Sequence, residues 1–513
     1  MPRIPLIALA LVASAAQAQS FCEPVSPEPV DGAVVLGNGT PGSVTTAQIQ
    51  AALDSGGTIR IDQGSAPSTI VVTSTLVASR ATVLDGGGLV TLSGGDARRI
   101  LRIVNPNPAQ NAPMFRVTLQ NIAFVDARIA DGRGAAIYKQ QASEFPYKVS
   151  IKLVNCRFQG NDAPLDATPQ DDGGGALYAE LLERIDIGNC QFIGNTGSNG
   201  GAVYSLVSRR VNVVDSTFSA NAAIGTGGNP GSGGNAGALG VDGGDRLVDV
   251  CRTRFSGNTS NAFGAAFFSV TYDQNGRTRF EDVTVEDNTQ TQAGQHSGGI
   301  YFQDGPWAIE RSTFARNSAT GFGGLFVAGN APGTIRNSTF SGNIARTGLG
   351  AAMALTNTAA IDIVNTTIAD NVSTAAFAAG ISIGTPNQLR LTNVVFANNS
   401  GGNRFVNWAM NNAAAFDGGG NLQWPQVRPM GGGNETPVTP TVQFADALLA
   451  PLAANGGPTP TRAIASNSPA RDSGVAGALV AAVDQRGYPR VGTPDRGAFE
   501  SGAEGILFRD GFE

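Results

Sequence analysis

One pattern of apolar and polar positions recurs along most of the chain. Each copy begins with two or three small residues, an aliphatic residue and often an aromatic one, and continues after a loop with alternating apolar positions. It closes on a polar residue, a small residue, a phenylalanine and an asparagine. One clear copy runs through Gly174 to Tyr178 and then Ile185 to Asn195. The closing signature returns at Phe158/Asn161, Phe192/Asn195, Phe218/Asn221, Phe255/Asn258, Val285/Asn288, Phe314/Asn317, Phe340/Asn343, Ile368/Asn371 and Phe396/Asn399.

The spacing of the copies indicates a stacked array of strands. Successive closing asparagines are 26 to 37 residues apart, and periods in this range are typical of solenoids. Each apolar segment is short, alternates with a period of two and is bounded by Gly, Asn or Asp, which predicts strands. Helical spacing is confined to Thr45 to Leu53, where it predicts a short capping helix.

Aligned by column, the repeat predicts a bend between two strands. The position two before the phenylalanine is occupied by small residues throughout. The position three before it is polar, and the parity of the strand changes there, so we expect a left-handed backbone that Asn and Asp tolerate. Equivalent residues of successive turns should stack about 4.8 Å apart, which predicts a phenylalanine stack and a polar ladder. The ladder positions are Asn155, Asn189, Asp215, Arg252, Asp282, Arg311, Asn337, Asn365 and Asn393.

A second column, in the strand that follows the small residues, carries aromatic rings. The aliphatic residue before it should point inward, so this column should point outward. An outward aromatic stripe is a platform on which sugar rings stack; the alternative is that the rings pack on one another or beneath the long loops. The ligand-binding candidates are Tyr138, Tyr178, Tyr204, Phe268, Tyr301 and Phe326.

Composition agrees with a solenoid. The 513 residues include 68 Gly, and 14% are charged and 7% aromatic, which is atypical of compact α/β domains but fits growth by repetition. Degenerate copies begin at residue 58, and the repeat ends after Asn399.

The repeat resembles the pectin-lyase-like superfamily of parallel β-helices and the repeats of polymorphic outer-membrane-type bacterial proteins. The resemblance implies an all-β, right-handed parallel β-helix over residues 58–402, preceded by a short N-terminal cap over 19–57. Residues 403–500 are rich in Gly, Pro and Ala and resemble the choice-of-anchor Q domain of bacterial surface and secreted proteins. That resemblance rests on residues 448–458, 468–472, 484–487 and 495–500, and we expect this irregular region to cover the open end of the solenoid. Residues 501–513 form a C-terminal tail.

The N-terminus predicts export. Arg3 precedes an apolar run from Ile4 to Ala16, and Ala16 and Ala18 match the small-x-small rule for cleavage, so residues 1–18 are predicted to be a signal peptide. This run is too short to span a bilayer. We expect a secreted or cell-surface monomer without a membrane span.

Charge and cysteine content exclude several classes. The net charge of −6 offers no basic face to nucleic acid. One His and four Cys exclude a His-rich metal site and a disulfide-dense scaffold. Cys156 and Cys190 occupy one column in adjacent turns, where a disulfide and simple packing of small residues are both open. Nothing in the sequence pairs Cys22 with Cys251.

Candidate catalytic residues are few. Asp171 and Asp172 form a carboxylate pair before a Gly-rich strand, and Asp242 and Asp245 sit similarly. Such pairs run acid/base chemistry or hold Ca²⁺, although loop aspartates are usually turn formers. His296, the one histidine, is interpreted as a solvated loop residue. No metal site is predicted, and Ca²⁺ is the one candidate cofactor.

The sequence therefore favours a non-catalytic secreted or cell-surface β-helix. We expect it to bind extracellular polysaccharide or another cell surface through the aromatic stripe and the long loops at one edge. The alternative is a polysaccharide lyase or glycoside hydrolase, because the resembling superfamily contains both, and fold alone does not choose. A purely structural role, without glycan affinity, is the third hypothesis.

Overall fold

The computed structural model describes residues 20–503, except 108, 112, 140–145, 165–170, 228–232, 245, 273–274, 295–296, 357, 376–377 and 430. The predicted signal peptide, Asp245, His296 and residues 504–513 lie outside the described residues. The helix predicted near the N-terminus is Thr46–Ser55. It begins with a capping box, in which Thr45 and Gln48 bond each other's backbone amides. Its buried Ile49 packs into the same apolar core as the first turns.

The strands stack into three parallel sheets, because each strand pairs with its counterpart one turn earlier and one turn later. Each regular turn passes through one strand of an 11-stranded sheet, two strands of a 26-stranded sheet and one strand of a 9-stranded sheet. The register keeps equivalent residues side by side, as in Tyr178 beside Tyr204 and Phe192 beside Phe218. The chain is a parallel β-helix, as the repeat predicts.

The strands of the 11-stranded sheet are Leu76–Ala78, Leu101–Ile103, Ile137–Lys139, Leu177–Glu180, Val203–Leu206, Leu239–Gly243, Phe267–Thr271, Ile300–Gln303, Leu325–Ala328, Met353–Leu355 and Ile381–Ile383. Those of the 9-stranded sheet are Asp162–Ala163, Thr196–Gly197, Ala222–Ala223, Thr259–Ser260, Thr289–Gln290, Ser318–Ala319, Ile344–Ala345, Val372–Ser373 and Ser400–Gly401. Those of the 26-stranded sheet are Val34–Leu36, Gly57–Ile61, Ser68–Val71, Thr82–Ser93, Phe115–Val125, Val149–Val154, Arg157–Gln159, Arg184–Gly188, Gln191–Ile193, Arg210–Val214, Thr217–Ser219, Leu247–Cys251, Arg254–Ser256, Arg277–Glu281, Thr284–Glu286, Trp307–Glu310, Thr313–Ala315, Gly333–Arg336, Thr339–Ser341, Ile361–Val364, Thr367–Ala369, Leu389–Thr392, Val395–Ala397, Phe416–Asp417, Leu422–Trp424 and Gln443–Phe444. Val427–Arg428 and Gly433–Asn434 form a separate antiparallel pair.

The interior is the predicted phenylalanine stack. The rings of Phe124, Phe158, Phe192, Phe218 and Phe255 lie face to face, with successive centroids 4.5 to 5.0 Å apart. All five are fully buried. Stacked aromatic pairs contribute about 0.5–1.5 kcal/mol each beyond the area they bury, so the column stabilises these five turns of the coil.

The bend between the two strands of the 26-stranded sheet is confirmed as well. All nine residues of the predicted column have φ between 45° and 56°, a conformation that is costly for most L-residues. In the earlier turns the side chains of this column bond one another from turn to turn. Arg252 makes two hydrogen bonds to Asp215, at 2.6 and 3.0 Å, and Arg311 binds Asp282 at 2.9 Å through Nε.

The closing asparagines form a buried ladder of their own. From Asn161 to Asn371, each Nδ2 donates to Oδ1 of the asparagine in the next turn at 2.8–3.0 Å. Each Nδ2 also donates to a backbone carbonyl of the preceding turn, such as Phe124 O for Asn161. These bonds satisfy amides that would otherwise be buried without partners.

Residues 20–28, which we name the N-terminal strap, run across the outer face of the 26-stranded sheet. One end of the strap donates from Ser20 to Glu281 at 2.8 Å. Its other end exchanges two hydrogen bonds between Glu28 and Gln120. A disulfide joins Cys22 to Cys251, a pairing that the sequence did not predict.

The two cysteines that share a column are free and buried. Of the two alternatives left open by the sequence, packing of small residues is therefore correct for Cys156 and Cys190. Burial raises the pKa of the Cys156 thiol well above its usual value, which keeps it in the unreactive thiol form.

The chain after the repeats does two things. Residues 403–444 continue the coil and contribute the last three strands of the 26-stranded sheet. Residues 445–500, which we name the C-terminal region, fold back onto the outer face of that sheet. Gln485 is fully buried between them; its amide nitrogen lies 2.7 Å from Thr313 Oγ1, and its carbonyl accepts from Thr339 Oγ1 at 2.6 Å.

Candidate functional site

The predicted aromatic stripe lies on the outer face of the 11-stranded sheet, away from the main core. It divides into two packed groups. Tyr138, Tyr178 and Tyr204 form one group, and Phe268, Tyr301 and Phe326 belong to the other. Gly240 occupies the same column between the two groups. A larger residue would not fit there, because a Cβ at this position would meet the Tyr204 ring at 2.7 Å.

These rings do not offer open faces to sugars; they pack on one another, which is the alternative that the sequence left open. Tyr138 is 8% exposed, Tyr178 1%, Tyr204 2%, Phe268 1% and Tyr301 5%, and Phe326 is half-buried. The rings bury one another, because stacking in register places neighbours 5.2 to 6.3 Å apart.

Loop side chains complete the cover over the rings. The Arg99 guanidinium lies 4.4 Å from the centre of the Tyr138 ring, and Phe263 packs 4.6 Å from Tyr301. Polar and aromatic groups from the flanking loops therefore define what a ligand meets on this face.

Asp172, one of the two catalytic candidates, is engaged in the fold. Its carboxylate is 1% exposed and accepts a hydrogen bond from Arg133 Nε. Its backbone carbonyl accepts from both nitrogens of Asn199. Burial raises the pKa of Asp172, and the hydrogen bond from Arg133 opposes that rise. These contacts give Asp172 the role of a loop anchor.

Asp242 is the buried carboxyl on the same face. It is 4% exposed, and Tyr204 Oη lies 3.3 Å from its Oδ2. Its Oδ1 is buried and has no hydrogen-bond partner among the described residues. Burial raises the pKa of Asp242 above its usual value; the charge of Arg246 opposes this rise and that of Asp171 adds to it. Asp171, the other catalytic candidate, is half-buried and close enough for its charge to be felt at Asp242.

Tyr272 is the functional candidate that the sequence reasoning missed. It is 62% exposed, and it lies close enough to Asp242 for the charge of that carboxyl to act on it. Partial burial and the charge of Asp242 raise the pKa of Tyr272 to about 12, so the hydroxyl keeps its proton at neutral pH. Tyr272 comes directly after the strand Phe267–Thr271 of the 11-stranded sheet and lies outside the repeat columns. The signal in the sequence was a tyrosine in the loop that follows this strand.

We name Asp171, Asp242, Tyr204 and Tyr272 the tyrosine–aspartate face. One exposed ring stands beside a buried carboxyl with an unused oxygen, and a second carboxylate lies nearby. The exposed ring of Tyr272 can stack on an apolar ring face, and the half-buried carboxylate of Asp171 can accept hydrogen bonds from hydroxyl groups. Among the described residues, no group of three or more His, Cys, Asp and Glu side chains is placed to hold a metal ion.

Comparison with known proteins adds the hand of the coil. Residues 266–418 match the family described as the right handed beta helix region. No curated protein matches the sequence. Among solved structures, the chain is similar to PfbA, a surface adhesin of Streptococcus pneumoniae, with 9% identity and a TM-score of 0.29 over 74% of this chain and 93% of that one. In the part of the chain that the structure describes, no helix is long and apolar enough to cross a membrane. The fold is a right-handed parallel β-helix.

Proposed function

We propose that this chain is an exported or cell-surface β-helix protein that binds extracellular polysaccharide at the tyrosine–aspartate face without cleaving it. The observation that carries the proposal is the exposed Tyr272 ring beside the buried, partly unsatisfied carboxyl of Asp242. Carbohydrate sites combine such a stacking surface with a few placed polar groups. The predicted signal peptide and the resemblance of residues 403–500 to surface proteins support the extracellular location.

Because the rings of the aromatic stripe are buried, the proposal assigns the ligand contact to Tyr272 alone among the tyrosines of this face. Tyr178, Tyr204 and Tyr301 shape and stiffen the surface, while Tyr272 makes the contact. Non-catalytic binding is favoured because Asp172, half of the carboxylate pair, is held by Arg133 in an ion pair. A charge neutralised in this way is poorly placed for proton transfer.

Binding to immobilised polysaccharides, neutral and uronate-rich, with and without Ca²⁺, tests the proposal. Tyr272→Ala should weaken binding by tenfold or more. Tyr147→Ala is the matched control, because Tyr147 is a half-buried tyrosine covered by Arg209 and lies outside this face. The site would be refuted if every polymer that the wild type binds were bound equally well by Tyr272→Ala and by Asp242→Asn.

Glycoside hydrolysis is the second candidate, and the raised pKa of Asp242 favours it. A carboxyl whose pKa is raised by burial is better suited to act as a general acid than an ordinary one, and Asp171 would then be the second carboxylate. Release of reducing ends from any polymer of the panel, abolished by Asp242→Asn and by Asp171→Asn, would replace binding with hydrolysis. A lyase would instead release unsaturated products.

A further inference from the structure

A groove of about 460 Å³ opens on the opposite side of the coil, on the outer face of the 26-stranded sheet. It lies where the C-terminal region stops covering that face. Each turn contributes two strands to this sheet, and an outward-facing residue of the second one marks the boundary. Thr217 and Arg254 are exposed there, whereas the equivalent Thr284 and Thr313 in the next two turns are buried.

The two walls of the groove differ in chemistry. The sheet wall carries two ion pairs, which join Arg252 to Asp215 and Arg254 to Glu286. It also presents Asp282, which pairs with Arg311 behind the lining. The opposite wall comes from the C-terminal region and presents Ala454, Gly457, Pro458 and Thr459. The groove thus combines fixed donors and acceptors on one side with small apolar groups on the other.

The mixture of positive and negative side chains in the groove favours a neutral ligand over a charged one. An anionic ligand would be repelled by Asp215, Asp282 and Glu286, and a cationic ligand would be repelled by Arg252 and Arg254, so each meets repulsion together with attraction. A neutral hydroxyl can accept from a guanidinium and donate to a carboxylate while the pair stays intact, because both groups have unused donors or acceptors. Pro458 and Ala454 can contact the C–H face of a sugar ring.

We propose that this groove is a carbohydrate site that takes a neutral oligosaccharide. It lies on a different sheet from the tyrosine–aspartate face, and the proposal does not depend on binding there. Because its walls come from segments more than 160 residues apart in sequence, such as Pro458 and Thr284, the site exists only when the C-terminal region is docked.

Isothermal titration of the full mature chain with neutral hexasaccharides of the gluco, galacto, manno and xylo series tests the proposal, with hexagalacturonate as the charged probe. Thr217→Trp and Ala454→Trp should each weaken binding of the neutral probe at least tenfold, because both residues are exposed and line the groove. The control is Gln191→Trp, exposed in the same column one turn earlier and outside the groove. Circular dichroism and the thermal midpoint establish that all three variants fold.

The outcomes separate this site from the tyrosine–aspartate face. Neutral binding that is lost in both groove variants and kept in Tyr272→Ala supports the groove. Absence of neutral binding, preference for hexagalacturonate, or equal affinity in wild type and both groove variants would each overturn it. Loss of neutral binding in Tyr272→Ala alone would assign the sugar to the other face.

Discussion

The outer faces of the 26-stranded and 11-stranded sheets are both partly covered, but by different means. On the 26-stranded sheet the cover comes from the two ends of the chain. The strap lies over early turns and the C-terminal region over later ones. On the 11-stranded sheet the aromatic rings of successive turns cover one another. The first arrangement ties distant segments together, whereas the second is local and leaves Tyr272 and Asp242 at its rim.

The two end segments also differ from each other. The strap is held by a disulfide and by ion pairs such as that of Glu28 with Lys152 at 2.7 Å. The C-terminal region is held largely through neutral, buried hydrogen bonds, among them the one from the Ala498 amide to Thr367 Oγ1 at 3.1 Å. We therefore expect the strap to respond to reductant, salt and pH, and the C-terminal region to respond to loss of single buried polar groups.

Removing the disulfide should have the largest effect. The Cys22→Ser, Cys251→Ser double variant should lose about 2–4 kcal/mol, because the bond spans a sequence separation of 229 residues and restricts the unfolded chain. Denaturant unfolding followed by fluorescence measures the loss, and wild type in reductant should show the same midpoint as the variant.

The matched control for the disulfide is the Cys156→Ser, Cys190→Ser double variant. Serine already occupies this column at Ser216, Ser312 and Ser338, so the control should stay sensitive to reductant. An oxidised wild type with the same unfolding midpoint as the reduced protein would contradict the stabilising role of the strap disulfide.

The next largest effect is expected from Gln485→Ala. The change removes a buried amide that bonds Thr313, Thr339 and Thr459. The Thr339 hydroxyl loses its acceptor, whereas those of Thr313 and Thr459 still donate to backbone carbonyls. Loss of such groups costs about 1–3 kcal/mol. Hydrogen exchange should rise across residues 445–500 and across the turns beneath them, while Gln426→Ala, at an exposed position, should change neither. Unchanged exchange in Gln485→Ala would mean that other contacts hold the C-terminal region.

What the sequence could predict is the part that repeats. The nine-fold column of Asn, Asp and Arg residues predicted the left-handed bend, and every member adopts it. The phenylalanine column predicted a stack, and its Phe158 and Phe192 rings lie 4.9 Å apart. Both features follow from the strand register, because equivalent residues must lie side by side in a parallel ladder.

What the sequence could not predict is what lies outside each sheet. Periodicity says that Tyr178 points away from the interior, but its exposure depends on loops and on neighbouring rings outside the strand pattern. The same limit hid the Cys22–Cys251 bond, because the strap follows no repeat. Tyr272 lies just past the end of its strand, and the columns did not include it.

On the 11-stranded sheet, Asp242→Asn should raise stability at neutral pH by less than the two losses above. The folded-state pKa of Asp242 is raised by burial, so folding disfavours its ionised form. The destabilisation is absent below the ordinary carboxyl pKa of 3.8 and grows as pH rises through the folded pKa. Thermal midpoints of variant and wild type should therefore differ at pH 7 and converge near pH 3.5. Thermal midpoints that agree at pH 7 and differ near pH 3.5 would contradict a cost of burying the ionised carboxyl.

The smallest effect is expected from Glu23→Gln in the strap. Glu23 pairs with Arg210 at 2.9 Å and with Arg184, but it is 48% exposed, and exposed pairs contribute about 0.2–1 kcal/mol. The hydrogen bond from Arg184 lowers the pKa of Glu23, so the stabilisation is complete above the ordinary value of 4.5 and is lost as pH falls through the lowered pKa. At pH 7 the wild type should exceed the variant in thermal midpoint at 20 mM salt and match it at 500 mM, since salt screens exposed charges. Asp31→Asn removes the same charge at an exposed position beyond the strap and should show no such difference. A deficit in Glu23→Gln that persists at 500 mM salt would mean that packing, and not charge, secures the strap between its disulfide and Glu28.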